Sequence, residues 1–324
     1  MCGIGGLLNI QPLAPEPAQR LAAALDQALA HRGPDAAGCW QEQGITLVHR
    51  RLAILDLSPL GQQPMASACG RWRLVFNGEI YNYRELRLDL EALGHRFRSS
   101  GDSEVLLQLL MRYGTAGLGR LRGMYAFCLW DRQEQRALVA RDPYGIKPLY
   151  LHHGPDGSLL FASELRALLA TGLVPRQLDP LGLAAFLLRG SLPADRSLVQ
   201  GIQPLPPGCL AIWQHGRLQL QPFWQPNFEP DLKLSALQEL ALTRDALQRS
   251  TALHLRSDVP VGLFLSGGRD SASLLALAAG GVRTLSIGFA ESHYDESREA
   301  ARLAQAFGAS HRRLLLGPSD ATNL

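Results

Sequence analysis

The chain opens with MCGIGGLLNI, residues 1–10, which puts a cysteine directly after the initiator methionine. If Met1 is removed, Cys2 carries both a thiol and a free α-amine. The pKa of such an amine lies near ~7.7–8.0, so part of it is neutral and can accept the thiol proton. The apolar, glycine-rich residues that follow are typical of a strand approached closely by other chain. The segment indicates an N-terminal nucleophile or, alternatively, a disordered terminus.

The residues that follow predict a first domain of the α+β class. Helical periodicity is found in residues 18–34, 82–94 and 102–114. Short apolar segments joined by tight turns then form hairpin-like pairs, such as MYAFCLW with RALVA and PLYLHH with SLLFAS. Adjacent strands with short connections form antiparallel sheets, which helices can cover.

A second domain with a different pattern is predicted after the proline-rich and aromatic segment QPFWQPNFEPD, residues 221–231. An amphipathic helix is followed by strand, helix, strand, helix and strand, which is the pattern of a parallel α/β sheet. We therefore assign residues 2–210 to the first domain, 211–231 to a linker and 232–324 to the second domain.

Composition excludes several classes of protein. A net charge of +3, without a dense basic run flanked by aromatic residues, argues against nucleic-acid binding. The five scattered cysteines include no C-x-x-C pair, so they show neither a metal-binding nor a redox spacing. Reduced thiols, no signal peptide and no membrane-spanning stretch indicate a cytoplasmic protein without membrane partners.

The loop SGGRDS, residues 266–271, follows an apolar strand and opens a helix. Gly267 and Gly268 allow an anion to approach the backbone, while Ser266 and Ser271 add hydroxyl donors. Asp270 could reach a Mg²⁺ ion that bridges phosphates. The lysine of the P-loop pattern is absent, so the alternative is a tight strand-to-helix turn capped by serine or aspartate.

Three further segments could serve a cysteine that attacks a carbonyl. Asn77 and Gly78 could form an oxyanion hole, but Asn-Gly between apolar strands is also the commonest hairpin signal. Arg51 could bind a carboxylate, or it could be a surface arginine. Asp102 could bind an ammonium group, or it could be a helix N-cap.

In their order, these segments resemble glutamine-hydrolysing asparagine synthetases. The resemblance rests on MCGIGG, HRGPD, HRRLAILDLS, FNGEIYNYREL, SGDSEVLL, RDPYGIKPLY and FASELRALL in the first domain, and on SDVPVGLFLSGGRDS in the second. It implies an N-terminal-nucleophile hydrolase fold, in which two antiparallel sheets lie between helices. A partial parallel-sheet domain of the ATP-pyrophosphatase type would follow.

The resemblance also implies roles for the candidate residues. Cys2 would attack the side-chain amide of glutamine, with Asn77 and Gly78 binding the oxyanion. Arg51 would hold the substrate carboxylate, and Glu79 and Asp102 its ammonium. Ammonia would pass through an internal tunnel to the second domain, where ATP with Mg²⁺ activates aspartate as aspartyl-AMP. The nucleotide would contact Leu265, Ser266, Gly267, Gly268, Asp270, Ser271 and Ile287.

Three departures from the family pattern leave alternatives open. Arg269 replaces a usually aliphatic residue, and Arg312 and Arg313 stand where a histidine and an acidic residue are common. The sequence also stops about one domain-sized piece early, so we expect an incomplete parallel sheet with exposed apolar surface and doubtful asparagine formation. The alternatives are a glutaminase that only donates ammonia, and a non-catalytic remnant that binds glutamine or a partner chain. Family members are often homodimers.

Overall fold

The computed structural model describes residues 1–230, 233–278, 281–289, 293, 295–317 and 320. It divides into two compact units, Met1–Asn227 and Phe228–Leu324. The strands of the first unit, in chain order, are β1 (Gly3–Leu8), β2 (Ala36–Glu42), β3 (Ile45–Arg51), β4 (Met65–Ala66), β5 (Trp72–Ile80), β6 (Gly123–Asp131), β7 (Arg136–Arg141), β8 (Tyr150–His153), β9 (Leu159–Ala162), β10 (Gln203–Pro204), β11 (Cys209–Gln214) and β12 (Arg217–Pro222). Its helices are α1 (Pro15–Leu29), α2 (Tyr83–Ala92), α3 (Asp102–Tyr113), α4 (Leu165–Ala170) and α5 (Pro180–Arg189).

These strands form two six-stranded sheets, both antiparallel. The first sheet has the order β10-β8-β9-β1-β3-β2, so the N-terminal strand lies inside it, between β9 and β3. The second has the order β12-β11-β7-β6-β5-β4, with short β4 at one edge. A strand enclosed on both sides cannot be a frayed end, because its backbone groups are paired with two neighbours.

Alternating side chains on the strands fill three apolar layers. Ile4 and Val75 face each other's sheet, in a core between the two sheets. Leu7 and Leu160 point the other way and pack under α1 and α4. On the opposite side, Phe76 belongs to the core that α2 and α3 cover. The result is a helix–sheet–sheet–helix sandwich, which confirms the fold predicted for the first domain.

The structure corrects two predictions in this unit. The Asn77-Gly78 pair is not a turn, because β5 continues through it and pairs with β6 from Trp72 to Ile80. The linker does not begin at residue 211, because β11 and β12 form a hairpin inside the second sheet. The proline and aromatic residues that predict a linker begin at residue 221, and the strands before them gain a pairing edge along β7 that local sequence does not show.

The second unit contains a small parallel sheet, as predicted. Its elements are α6 (Ala236–His254), β13 (Gly262–Phe264), α7 (Arg269–Leu277), β14 (Arg283–Phe289), α8 (Ser297–Ala306) and β15 (His311–Leu316). The sheet order is β13-β14-β15, with both pairs parallel. The expected exposure of apolar side chains is observed at Phe264, Leu314 and Leu315. Among the described residues, no helix has the length and apolar character needed to cross a membrane.

Candidate active site

Cys2 lies immediately before β1, where the chain enters the first sheet. Its thiol is half-buried, with Sγ 3.6 Å from the Leu52 carbonyl oxygen and 3.4 Å from the Leu52 amide nitrogen. The Cys2 carbonyl accepts a hydrogen bond of 2.9 Å from Nε of Arg32, which also binds Glu164. The backbone at Cys2 is thus held in place, whereas Met1 is 54% exposed.

The environment of the thiol disfavours its charged form while Met1 is present. Burial raises the pKa of the Cys2 thiol above its ordinary value. Burial also lowers the pKa of the terminal amine, which in the intact chain belongs to Met1. Removal of Met1 converts the Cys2 nitrogen from an amide into an amine, and so creates a base on the same residue as the thiol.

Asn77 supplies a buried hydrogen-bond donor that nothing in the described part of the chain accepts. The side chain is 1% exposed, and its Nδ2 atom has no hydrogen-bond partner. It lies on the same face of β5 as Val75, which packs in the core between the two sheets. An unsatisfied buried donor costs about 1–3 kcal/mol, so its retention points to a group that arrives with a ligand.

The amide of Gly78 is a second donor at the same place. Tyr125, which lies opposite Gly78, directs its own amide and carbonyl to Asp142, so Gly78 faces away from β6. Phe76 and Ile80 donate from the same edge of β5 to side chains of Gln63 and Asp102.

The Gly78 amide lies between the Phe76 and Ile80 amides on this edge of β5, and it has no acceptor within the described residues. A Cβ at residue 78 would lie 2.2 Å from the Met124 carbonyl oxygen, which explains why glycine occupies this position.

Arg51 ends β3 with its guanidinium held by backbone carbonyls. Nη1 donates to the Ser58 carbonyl at 2.9 Å, and Nη2 donates to the Asp56 carbonyl. Arg51 is 8% exposed, so the alternative of a surface arginine is wrong. The turn that accepts these bonds is itself fixed, because the Asp56 carboxylate accepts from the Ser100 amide at 2.9 Å. The remaining N–H groups suit a planar carboxylate.

Asp102 is the first residue of α3, not its N-cap, which is Gly101. Its carboxylate is buried and accepts the Ile80 amide at 2.9 Å. Burial is the main cause that raises the pKa of Asp102 to about 7, and the negative charge of Glu79 raises it further. A cation that binds beside this carboxyl group favours its charged form and lowers its pKa.

These groups line one cavity of about 300 Å³. It brings together all six residues predicted for glutamine chemistry, which come from four separate segments of the chain: Cys2, Arg51, Asn77, Gly78, Glu79 and Asp102. Sequence reasoning missed Gln63 and Lys147, which line the same cavity. Gln63 links β5 to α3 by accepting from the Phe76 amide at 2.6 Å and donating to Ser103. The resemblance included the Lys147 segment but gave that residue no role.

The glycine-rich loop of the second unit joins β13 to α7. The hydroxyls of Ser266 and Ser271 lie 3.0 Å apart, and Ser266 also accepts the Gly268 amide, so both are used within the loop. Gly268 is the N-cap of α7 and makes no side-chain cap, which leaves first-turn amides for an anion. Asp270 is exposed in that turn.

The two predicted aliphatic contacts differ in their surroundings. Leu265 is buried in the core with Leu275 and Ala300, so its side chain is a packing residue. Ile287 is partly exposed on β14, near the carboxyl end of the neighbouring strand. Of the departures, Arg313 binds Asp295 at 2.8 Å, and this ion pair supplies the acidic partner that local sequence lacks.

Comparison with known proteins accounts for both units. A glutamine amidotransferase domain model matches residues 1–224, and an asparagine synthase model matches residues 242–324. The chain belongs to the family of glutamine-hydrolysing asparagine synthetases. It is 34% identical to asparagine synthetase [glutamine-hydrolyzing] 1 of Bacillus subtilis, over all of this chain and 51% of that protein.

Other relatives of this asparagine synthetase family member are similar over shorter stretches. A putative asparagine synthetase [glutamine-hydrolyzing] of Mycobacterium bovis is 37% identical over 87% of this chain and 46% of that protein. Amidase chry2 of Gibberella zeae is 33% identical over 86% of this chain and 43% of that protein. The chain thus spans about half the length of the curated relatives it matches.

Solved structures support the fold. Glutamine phosphoribosylpyrophosphate amidotransferase of B. subtilis aligns with a TM-score of 0.51 and 19% identity, over 96% of this chain and 65% of that one. A structure described as the allosteric regulatory enzyme of purine biosynthesis aligns with a TM-score of 0.52 and 18% identity, over 97% and 80%.

Proposed function

We propose that residues 1–227 hydrolyse glutamine to glutamate and ammonia, with Cys2 as the nucleophile once Met1 is removed. The observation that carries this proposal is the cavity that holds Cys2 together with two donors, Asn77 Nδ2 and the Gly78 amide, which have no acceptor in the described part of the chain. Such donors stabilise an oxyanion without reorganisation, because they are already oriented before substrate binds.

The proposed reaction follows from these groups. The Cys2 amine takes the thiol proton, and the thiolate forms a C–S bond with the side-chain carbonyl of glutamine. Asn77 and Gly78 bind the oxyanion of the tetrahedral intermediate. The C–N bond then breaks as the protonated terminal amine gives that proton to the leaving nitrogen, which releases ammonia and restores the neutral amine. Water hydrolyses the thioester to glutamate and restores the thiol.

Recognition of free glutamine requires groups for both ends of its backbone. The Arg51 guanidinium, fixed by two carbonyls, is suited to the α-carboxylate. Asp102 and Glu79 carry the negative charge for the α-ammonium. A carboxylate clamp and an acidic pair together favour an amino acid over a simple amide.

For the second unit we propose ATP binding at residues 265–271, with use of the ammonia to convert aspartate into asparagine through aspartyl-AMP. The free amides at the start of α7 support phosphate binding. Asp270 is one carboxylate, which suits Mg²⁺ because this ion commonly takes its other ligands from phosphates and water. Among the described residues no group of three metal-binding side chains is found.

A paired assay tests the two halves of this proposal on one preparation. Ammonia release from glutamine is expected, and its absence in well-folded protein would overturn the proposed glutaminase. Asparagine and pyrophosphate formed from aspartate, ATP and glutamine would support the complete synthetase. Ammonia without asparagine would favour the alternative, a chain that only donates ammonia.

Binding of glutamine is expected to depend on the protonation of Asp102. Because the pKa of Asp102 is about 7, an ammonium group that binds beside it must displace its proton below that pH. The Kd for glutamine should therefore rise roughly tenfold for each pH unit below 7. Calorimetry on the Cys2→Ala protein measures this binding without turnover.

Two variants serve as controls for this pH dependence. Asp102→Asn should bind weakly and lose the pH dependence between about 5 and 7, since no carboxyl remains to titrate at this position. Asp89→Asn, which changes an exposed acid paired with Arg120 outside the cavity, should keep the original profile. A pH-independent Kd in the parent protein would contradict the role given to Asp102.

A further inference from the structure

Two charged side chains, Asp142 and Arg141, hold the backbone of the loop between β7 and β8 through hydrogen bonds, and we call this the clamped loop. The buried Asp142 carboxylate accepts the amides of Tyr144, Ile146 and Lys147, at 2.9–3.0 Å. Arg141 donates to the carbonyls of Lys147 at 2.8 Å and Gly145 at 2.7 Å. A loop whose amides and carbonyls are both bound holds its side chains in fixed positions.

The clamped loop delivers the Lys147 side chain into the cavity that contains Cys2. Lys147 is 4% exposed, and its Nζ lies 3.2 Å from the Met1 sulfur, a weak and uncharged acceptor. Among the described residues, no carboxylate oxygen lies within 4.0 Å of Lys147 Nζ, the distance that would make a salt bridge. Burying an ammonium without a carboxylate at contact distance costs stability.

The charges that face Lys147 come from four elements. Glu79 on β5, Cys2 before β1 and Asp142 in its own loop attract the ammonium, whereas Arg32 in the turn after α1 repels it. Burial is the largest effect and lowers the pKa of Lys147.

Composition adds a second observation. Lys147 and Lys233 are the only lysines in a chain with 32 basic residues, and Lys233 is exposed in the second unit. A compact ammonium at this point therefore contrasts with the arginines used elsewhere.

We propose that Lys147 is a positioning residue of the Cys2 site, whose ammonium faces and stabilises the Cys2 thiolate after Met1 is removed. Loss of Met1 takes away the sulfur that Lys147 contacts, so the cation is left beside the new terminal residue. This role of Lys147 rests on the proposed glutaminase function, because that function is what a Cys2 thiolate would serve. Its test uses the chemistry of the thiol alone.

The test measures the alkylation rate of Cys2 by iodoacetamide from pH 6 to 10, read by mass spectrometry of the N-terminal peptide. Lys147→Met removes the charge and keeps the length. It should raise the apparent pKa of the thiol by about one unit and slow alkylation at pH 7 by about tenfold. Lys147→Arg should restore most of the rate, because the charge returns.

Two controls separate electrostatics from damage to the fold. Lys233→Met changes the other lysine and should leave the Cys2 profile unchanged. Alkylation of exposed Cys69 in each variant provides an internal reference that should not move. An unchanged Cys2 profile in Lys147→Met, or one that Lys147→Arg fails to restore, would overturn the proposal.

A shifted profile without any ammonia release would keep the positioning role and reject the glutaminase.

Discussion

Replacing Cys2 with alanine is expected to abolish the release of ammonia from glutamine. The thiol is the only group that forms a covalent bond with substrate in the proposed reaction, so its loss should lower kcat by ~10⁴-fold or more. The fold should remain intact, because the thiol makes only long contacts to the Leu52 backbone and the bond from Arg32 to the Cys2 carbonyl does not involve the thiol. Ammonia release and calorimetric binding of glutamine measure the two consequences.

A matched control for this variant is Cys39→Ala, which changes an exposed thiol on β2 outside the cavity. Its turnover should equal that of the parent protein. A further variant with one alanine inserted between Met1 and Cys2 keeps the thiol but leaves its nitrogen as an amide. It should lose about 10²–10⁴-fold in rate, since the terminal base is missing. Full activity in either Cys2→Ala or the insertion variant would refute the N-terminal nucleophile.

Replacing Asn77 with alanine is expected to lower kcat by about 10²–10³-fold, with little change in KM. The Nδ2 donor has no hydrogen-bond partner among the described residues, so it contributes to the reaction more than to the folded state. Stability should therefore fall little, because the lost donor was already unsatisfied. Steady-state ammonia release and thermal unfolding test both expectations.

Asn82→Ala provides the opposite control. Its side chain donates to the Arg120 carbonyl at 3.0 Å and accepts the Arg122 amide at 2.9 Å, so it ties α2 to the chain before β6. This variant should lose stability and retain kcat, whereas Asn77→Ala should do the reverse. A loss of stability in Asn77→Ala as large as that in Asn82→Ala, without a fall in kcat, would assign Asn77 to the fold instead.

The helices and hairpins predicted from local sequence were confirmed, whereas the predicted Asn-Gly turn and the start of the linker were wrong. Helices α1, α2 and α3 and the hairpins β6–β7 and β8–β9 lie where periodicity and turn residues predicted them. Such elements depend on residues close together in the chain. The Asn-Gly pair predicts a turn and residues 211–222 fall inside the predicted linker, yet both lie in paired strands. At these two places the conformation is set by pairing with a strand that is distant in sequence.

The sequence by itself determined the class of both units and predicted the candidate site residues Cys2, Arg51, Asn77 and Asp102. These follow from residue types in a recognisable order. Only the tertiary structure decided which polar groups are left unpaired. The Gly78 amide is free because Tyr125 bonds to Asp142, and Lys147 is buried because its loop is clamped. Both depend on the geometry of pairing between distant segments, which no stretch of consecutive residues contains.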